Sequence, residues 1–189
     1  MSTVPNPLSI AVLALLNERP MHPYEMYQLL LDRHEDRLVK VRPGSLYHVV
    51  ERLEGSGLVA ATGTERAGNR PERTTYAITT VGRTTLVGWV DEIITEPINE
   101  YPIFPVALSE SHNLPQDQAL AALGGRIDRI DKLVAELDDV IAYARESDVP
   151  EGYWFAADYV RATHIAERDW LRTTVARIEQ GELAWPQAK

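Results

Sequence analysis

On a helical wheel drawn over 43–56, Ser45, Tyr47, His48, Glu51 and Arg52 fall on one arc, and Leu46, Val49, Val50 and Leu53 recur on the other. The first set carries hydroxyl, imidazole, carboxylate and guanidinium groups, which are donors and acceptors for base edges and phosphates. If the N-terminal half of such a helix enters a major groove, Ser45 and His48 meet base edges and Arg52 reaches a guanine or a phosphate. Lys40 and Arg42 stand just ahead of the helix, where its dipole already favours a phosphate; as solvated loop charge they would look the same. Two readings stand for Tyr47: a donor to phosphate, or a ring filling the space beside Tyr24. The plainer alternative for the whole stretch is an ordinary amphipathic core helix, which shows the same two-faced pattern.

Other chemistries find little support. The five histidines, His22, His34, His48, His112 and His164, show no short ligand spacing and no zinc-hydrolase helix motif. No serine sits in a nucleophile elbow, and no glycine loop is built for a nucleotide phosphate. With zero cysteines, thiolate metal sites, disulfides and cysteine nucleophiles are excluded. The expectation is a protein that is not an enzyme, with no catalytic residues, no metal and no cofactor.

The elements that position the two-faced helix are written locally. Asn6-Pro7 offers a cap and a first-turn proline for a helix over 8–17, apolar almost all round and so expected to be buried on every side. Arg19-Pro20 ends it, and His22-Pro23 opens a second helix to about 32, with Tyr24, Tyr27, Leu30 and Leu31 as its inner surface. Pro43 suits the first turn of the third helix, and Gly57 suits a left-handed stop. Segments 58–64 and 73–78 then read as two strands around a loop in which Arg66, Asn69, Arg70 and Arg73 flank Gly68 and Pro71. Such a tip can approach a minor groove or a backbone. A helix followed at once by a basic-tipped hairpin outlines a winged helix-turn-helix. Thr79 caps a fourth helix to about 94, with Val81, Leu86, Val90 and Ile93 or Ile94 expected inward.

Beyond it the texture changes. Residues 96–105 carry three prolines and read as an extended connector, which divides the chain into a winged helix-turn-helix at 1–95 and a helical region at 106–189. A short helical piece is expected over 106–111, then a long helix opening near Asn113. In it Leu120, Leu123, Ile127, Ile130, Val134, Leu137, Ile141 and Ala144 follow one another at alternating spacings of 3 and 4, a heptad seam. About 32 residues at ~1.5 Å each make a rod of ~48 Å, longer than one small domain is expected to cover. A last helix over 153–180 carries Val160, His164 and Leu171 near one side. The two long helices can form a hairpin, yet the seam's length points to a second chain, with Leu123, Ile127, Ile130, Val134, Leu137, Ile141, Val160 and Leu171 joining two subunits. The fold class expected is mainly α with a small β-hairpin wing, the second domain being a long-helix, coiled-coil-like dimerisation unit.

The formal net charge of −9 is unevenly spread. Residues 37–83 hold 8 Lys+Arg against 4 Asp+Glu, whereas residues 91–189 hold 9 against 19. A phosphate backbone responds to the local patch, and that patch is positive. No apolar run approaches the ~18 residues needed to span a bilayer, so a soluble, cytoplasmic protein is expected. Trp89, Phe104, Tyr153 and Trp154, around the connector and second domain, either fill cores and interfaces or form a candidate pocket for a flat aromatic effector.

Several of these stretches together resemble one family. Leu13-Ala14-Leu15-Leu16, Met21-His22-Pro23-Tyr24-Glu25-Met26, Gly44-Ser45-Leu46-Tyr47, Arg52-Leu53-Glu54, Gly57-Leu58-Val59, Arg70-Pro71 and Tyr76-Ala77-Ile78-Thr79 with Gly82 are similar to the PadR-like transcriptional regulators over roughly 8–90. Residues 95–181 resemble the helical C-terminal domain of the longer members, including the virulence activator group. The chain departs from the family pattern at Pro23, His48 and Glu72. The resemblance implies a winged helix-turn-helix reader joined to a helical dimerisation domain. The function expected is a double-stranded-DNA-binding transcriptional regulator, a repressor acting as a homodimer on a pseudo-palindromic operator, with a small aromatic effector as a further partner. The alternatives are an activator or co-activator, and a helical interaction adaptor without DNA binding.

Overall fold

The structure, a computed structural model, describes residues 5–65 and 73–186, and the side chains of 64, 65 and 73 lie outside that description. The chain divides into two compact units, Met1–Asn99 and Glu100–Lys189.

The first unit contains α1 (Pro7–Glu18), α2 (Pro23–Asp32), α3 (Pro43–Gly55), β1 (Val59–Glu65), β2 (Arg73–Ile78) and α4 (Thr80–Thr95). The local signals hold. The Asn6 side chain accepts from the Leu8 N–H, a His22 ring nitrogen accepts from the Tyr24 N–H, and both helices open on proline. Gly57 takes φ 71° after α3, the left-handed geometry that a residue without Cβ adopts freely. α1 is the central helix: Leu8, Val12, Leu13, Leu15 and Leu16 are buried among Met26 and Leu30 of α2 and Leu46, Val49, Val50 and Leu53 of α3. Its burial is not complete all round: Pro7, Ala14 and the C-terminal Asn17 and Glu18 are exposed, and Ile10 and Ala11 are half-buried.

β1 and β2 pair antiparallel from Val59↔Ile78 to Glu65↔Arg73, with an irregularity between Ala61 and Gly63. Met21, between α1 and α2, exchanges both backbone hydrogen bonds with Tyr76 at 3.0 Å and so pins the hairpin to the helical core. The hairpin base is also tied to α4. Thr79 Oγ donates to the Gly57 carbonyl and accepts from the Gly82 N–H, and the Thr79 N–H donates to the Leu58 carbonyl.

Two inner faces differ from the sequence expectation. On α2 the buried residues are Pro23, Met26 and Leu30; Tyr24 is exposed, while Tyr27 and Leu31 are half-buried. On α4 the inward residues are Gly82, Leu86 and Trp89, with Ile93 half-buried; Val81, Val90 and Ile94 face away. The reason is Gly82. A Cβ there would lie 2.0 Å from the Leu58 carbonyl oxygen and 2.8 Å from Ile78 Cγ1, so α4 can approach the hairpin only along its glycine side.

The second unit contains α5 (Ile103–Ser109), α6 (Gln116–Glu146) and α7 (Phe155–Glu179). α5 begins inside the stretch expected to be an extended connector, because Pro105 sits in a first turn whose N–H groups need no helical acceptor. α6 and α7 form an antiparallel hairpin bridged by Arg126–Glu167 at 2.5 Å, Arg172–Asp131 at 2.7 Å and Arg161–Asp138. The seam residues Leu123, Ile130, Val134, Leu137, Ile141 and Ala144 are buried within this one chain, as is Leu171; Ile127 packs against the same core and Val160 is half-buried. This corrects the argument from length. The 25 residues of α7 run alongside the rod, so the seam joins two helices of one chain and needs no second subunit.

Replacing Gly82 with alanine should therefore separate α4 from the hairpin base or strain both, at a cost of about 2 kcal/mol or more. Thermal denaturation of Gly82→Ala should show the transition of the first unit lowered by roughly 10 °C. An unchanged midpoint would mean that the close approach is dispensable.

Candidate nucleic-acid interface

α3 starts at Pro43 with Arg42 as its N-cap, and no side chain caps its first N–H groups. A free N-terminus with guanidinium beside it suits an anion. Burial of Leu46, Val49, Val50 and Leu53 fixes the rotation of the helix, so the exposure of its other residues is decided. Ser45, Tyr47, His48, Glu51 and Arg52 are all exposed, as the wheel requires. The side chains of His48 and Glu51 are 84% and 71% exposed, with His48 Nδ1 3.5 Å from a Glu51 carboxylate oxygen.

Arg52 lies to one side of this face. Its Nη2 donates to Ser9 Oγ of α1 at 2.9 Å, and Ser9 is only 2% exposed. The guanidinium is thus docked on a neighbouring helix, a contact that spans 43 residues of sequence and has no local signature. On the opposite flank the Tyr47 ring meets His22 edge-on, with centroids 6.2 Å apart. Tyr24 instead lies beside Tyr27, so the space Tyr47 shares is with His22.

Lys40, Arg42, Ser45, His48 and Arg52 are brought together along an open groove of about 560 Å³, whose other wall is Asn6 at the start of α1 and whose floor includes Leu8 and Val49. Asn6 was read only as a cap, yet it stands on the same groove. Of the wing residues, Arg66, Asn69 and Arg70 lie outside the described residues; Arg73 opens β2, its side chain also outside them.

Glu18 takes a bidentate pair from Arg33, Nη1 at 2.6 Å and Nη2 at 2.9 Å, which joins the ends of α1 and α2 and holds the Glu18 carboxyl below its usual value. Burial raises Glu35, just before the loop that carries Lys40. Burial raises the Tyr76 phenol as well, aided by the charges of Glu54 and then Glu51.

The aromatic residues considered for an effector are held by different partners within each unit. Trp89 packs on the core of the first unit. In the second unit Phe104 lies under the Arg126 guanidinium, 3.4 Å from its centroid, and Trp154 lies near Arg145 and donates its indole N–H to the Val149 carbonyl. Arg126 and Arg145 are separated on α6 by roughly 28 Å of helix at ~1.5 Å per residue, so one chain cannot close Phe104 and Trp154 around a single small molecule. Tyr153 is exposed. Among the described residues no group of His, Asp and Glu is placed to hold a metal, and no helix is long and apolar enough to cross a membrane.

Residues 12–87 match the transcriptional regulator PadR-like family. No curated protein matches the chain in sequence. Among solved structures, Bacillus subtilis PadR in complex with operator DNA is similar with a TM-score of 0.73 at 18% identity, over 90% of this chain and 97% of that one. B. subtilis PadR in complex with p-coumaric acid gives 0.70 at 17% identity, over 91% and 98%. The PadR-like transcriptional regulator BC1756 from Bacillus cereus gives 0.65 at 16% identity, over 92% and 98%. Residues 12–87 are thus similar to the PadR-like family of transcriptional regulators, and the chain shares its fold with these proteins along nine-tenths of its length.

Proposed function

We propose that the protein is a cytoplasmic, sequence-specific binder of double-stranded DNA that represses transcription, acting as a homodimer on a pseudo-palindromic operator. The observation that carries this is the outward face of α3, free of core contacts and bordered by Lys40 and Arg42 along one groove. A helix held by four buried residues presents base-reading groups without having to order them first, and the neighbouring cations supply the phosphate contacts that fix register. The operator complex of the B. subtilis relative supports the same use of the fold. The p-coumaric acid complex of that relative supports a small aromatic acid as effector.

A dimer needs apolar surface other than the internal seam. Phe155, Tyr159 and Trp170 supply it on α7, at helical spacing and all exposed within one chain. Two copies joined there place two recognition helices, and a ligand that favours a different separation releases DNA.

Binding to duplexes from upstream of its own gene, titrated with salt, should give a steep log–log slope, and Lys40→Ala and Arg42→Ala should each reduce that slope by about 1. A flat salt dependence would sink the assignment. His48→Ala should weaken operator binding by about 1–3 kcal/mol with an unchanged melting temperature. Arg52→Ala should also lower stability, by about 1–2 kcal/mol, because it strands the buried Ser9 hydroxyl. Light scattering should report twice the chain mass at micromolar concentration, and a Phe155→Glu, Tyr159→Glu double variant should report the single mass. A wild-type monomer that binds its operator fully would reject the dimer.

A further inference from the structure

With the buried face of α3 centred on Leu46, Val49, Val50 and Leu53, the residues turned most directly away from it, at ~100° per position, are Gly44, His48, Glu51 and Gly55, of which His48 and Glu51 carry side chains. Ser45 and Arg52 lie on the α1 flank, where Arg52 is held by Ser9. Tyr47 and Glu54 lie on the other, with Tyr47 against His22. Any duplex that meets the centre of this helix therefore meets a carboxylate.

A carboxylate there is a cost to binding as such. It repels phosphates and, being acceptor-only, it finds partners in the major groove only among exocyclic amino groups. It does not stand alone, because the His48 imidazole lies 3.5 Å away. A donor beside an acceptor is the complement of a C·G pair, whose edge presents the cytosine N4 amino group next to the O6 and N7 acceptors of guanine. We propose that Glu51 is a specificity-determining residue that accepts from the N4 amino group of a cytosine while His48 donates to the paired guanine. Each half-site then carries one required C·G pair. Bases that offer only acceptors at this place are rejected by charge, so Glu51 selects as much by exclusion as by attraction. The inference rests on DNA reading by α3 as proposed above.

The test is enrichment of random duplexes by the full-length chain and by variants confirmed to fold by circular dichroism. The wild type should select one near-invariant C·G pair per half-site. Glu51→Ala should flatten that position by about tenfold or more while leaving the other positions selected. Glu54→Gln, which removes the same charge from the flank, should raise affinity for all duplexes alike and leave the motif unchanged. An unaltered motif in Glu51→Ala, a loss at an A·T position instead, or the same loss in Glu54→Gln overturns the role of Glu51. If the wild-type chain enriches no sequence at all, DNA reading itself fails, whatever Glu51 does.

Discussion

The burial of Leu46, Val49, Val50 and Leu53 against α1 and α2 is the constraint on which the rest of the first unit depends. Four apolar contacts in two helical turns leave α3 no freedom to rotate, so every outward group has a fixed bearing. Moving any outward residue by one position in sequence would turn it through ~100° and away from a groove. The outward face is thus a by-product of packing, and the energy that orients it is spent when the protein folds.

The hairpin is oriented by a different kind of contact. Met21 adds a pair of backbone hydrogen bonds to Tyr76, and Thr79 closes the base by bonding to Gly57 and Leu58 while capping α4. The absence of a side chain at Gly82 lets α4 lie against that end. A two-stranded ribbon is only marginally stable alone, and these attachments make it a rigid arm of the helical core.

In the second unit a heptad seam and a set of cross-helix ion pairs serve one antiparallel pair of helices. The Arg126–Glu167 pair is half-buried and the Arg172–Asp131 pair more exposed; such pairs contribute little stability each, but they are consistent with a single register, which the apolar seam by itself specifies less sharply. Phe155, Tyr159 and Trp170 remain on the outside of α7, and their exposure is the physical basis for the proposal that subunits meet there.

What the sequence by itself determined was whatever depends on near neighbours. Caps at Asn6, His22 and Thr79, first-turn prolines, the left-handed stop at Gly57 and the two faces of α3 all follow from residues within a turn or two of one another. The motifs that resemble the PadR-like family are built from the same local features, so the winged-helix arrangement was legible along with its two-faced third helix. Tertiary structure decided what local pattern leaves degenerate. α4 carries more than one set of apolar positions, and only the space beside Leu58 selects the one containing Gly82. A heptad seam states that a helix must be covered but not by which chain, and α7 covers it. Arg52 looked like a free reader until Ser9, 43 residues away, was placed beneath it. Phe104 and Trp154 were candidates for one pocket, yet they pack on Arg126 and Arg145, which a helix of 31 residues holds apart.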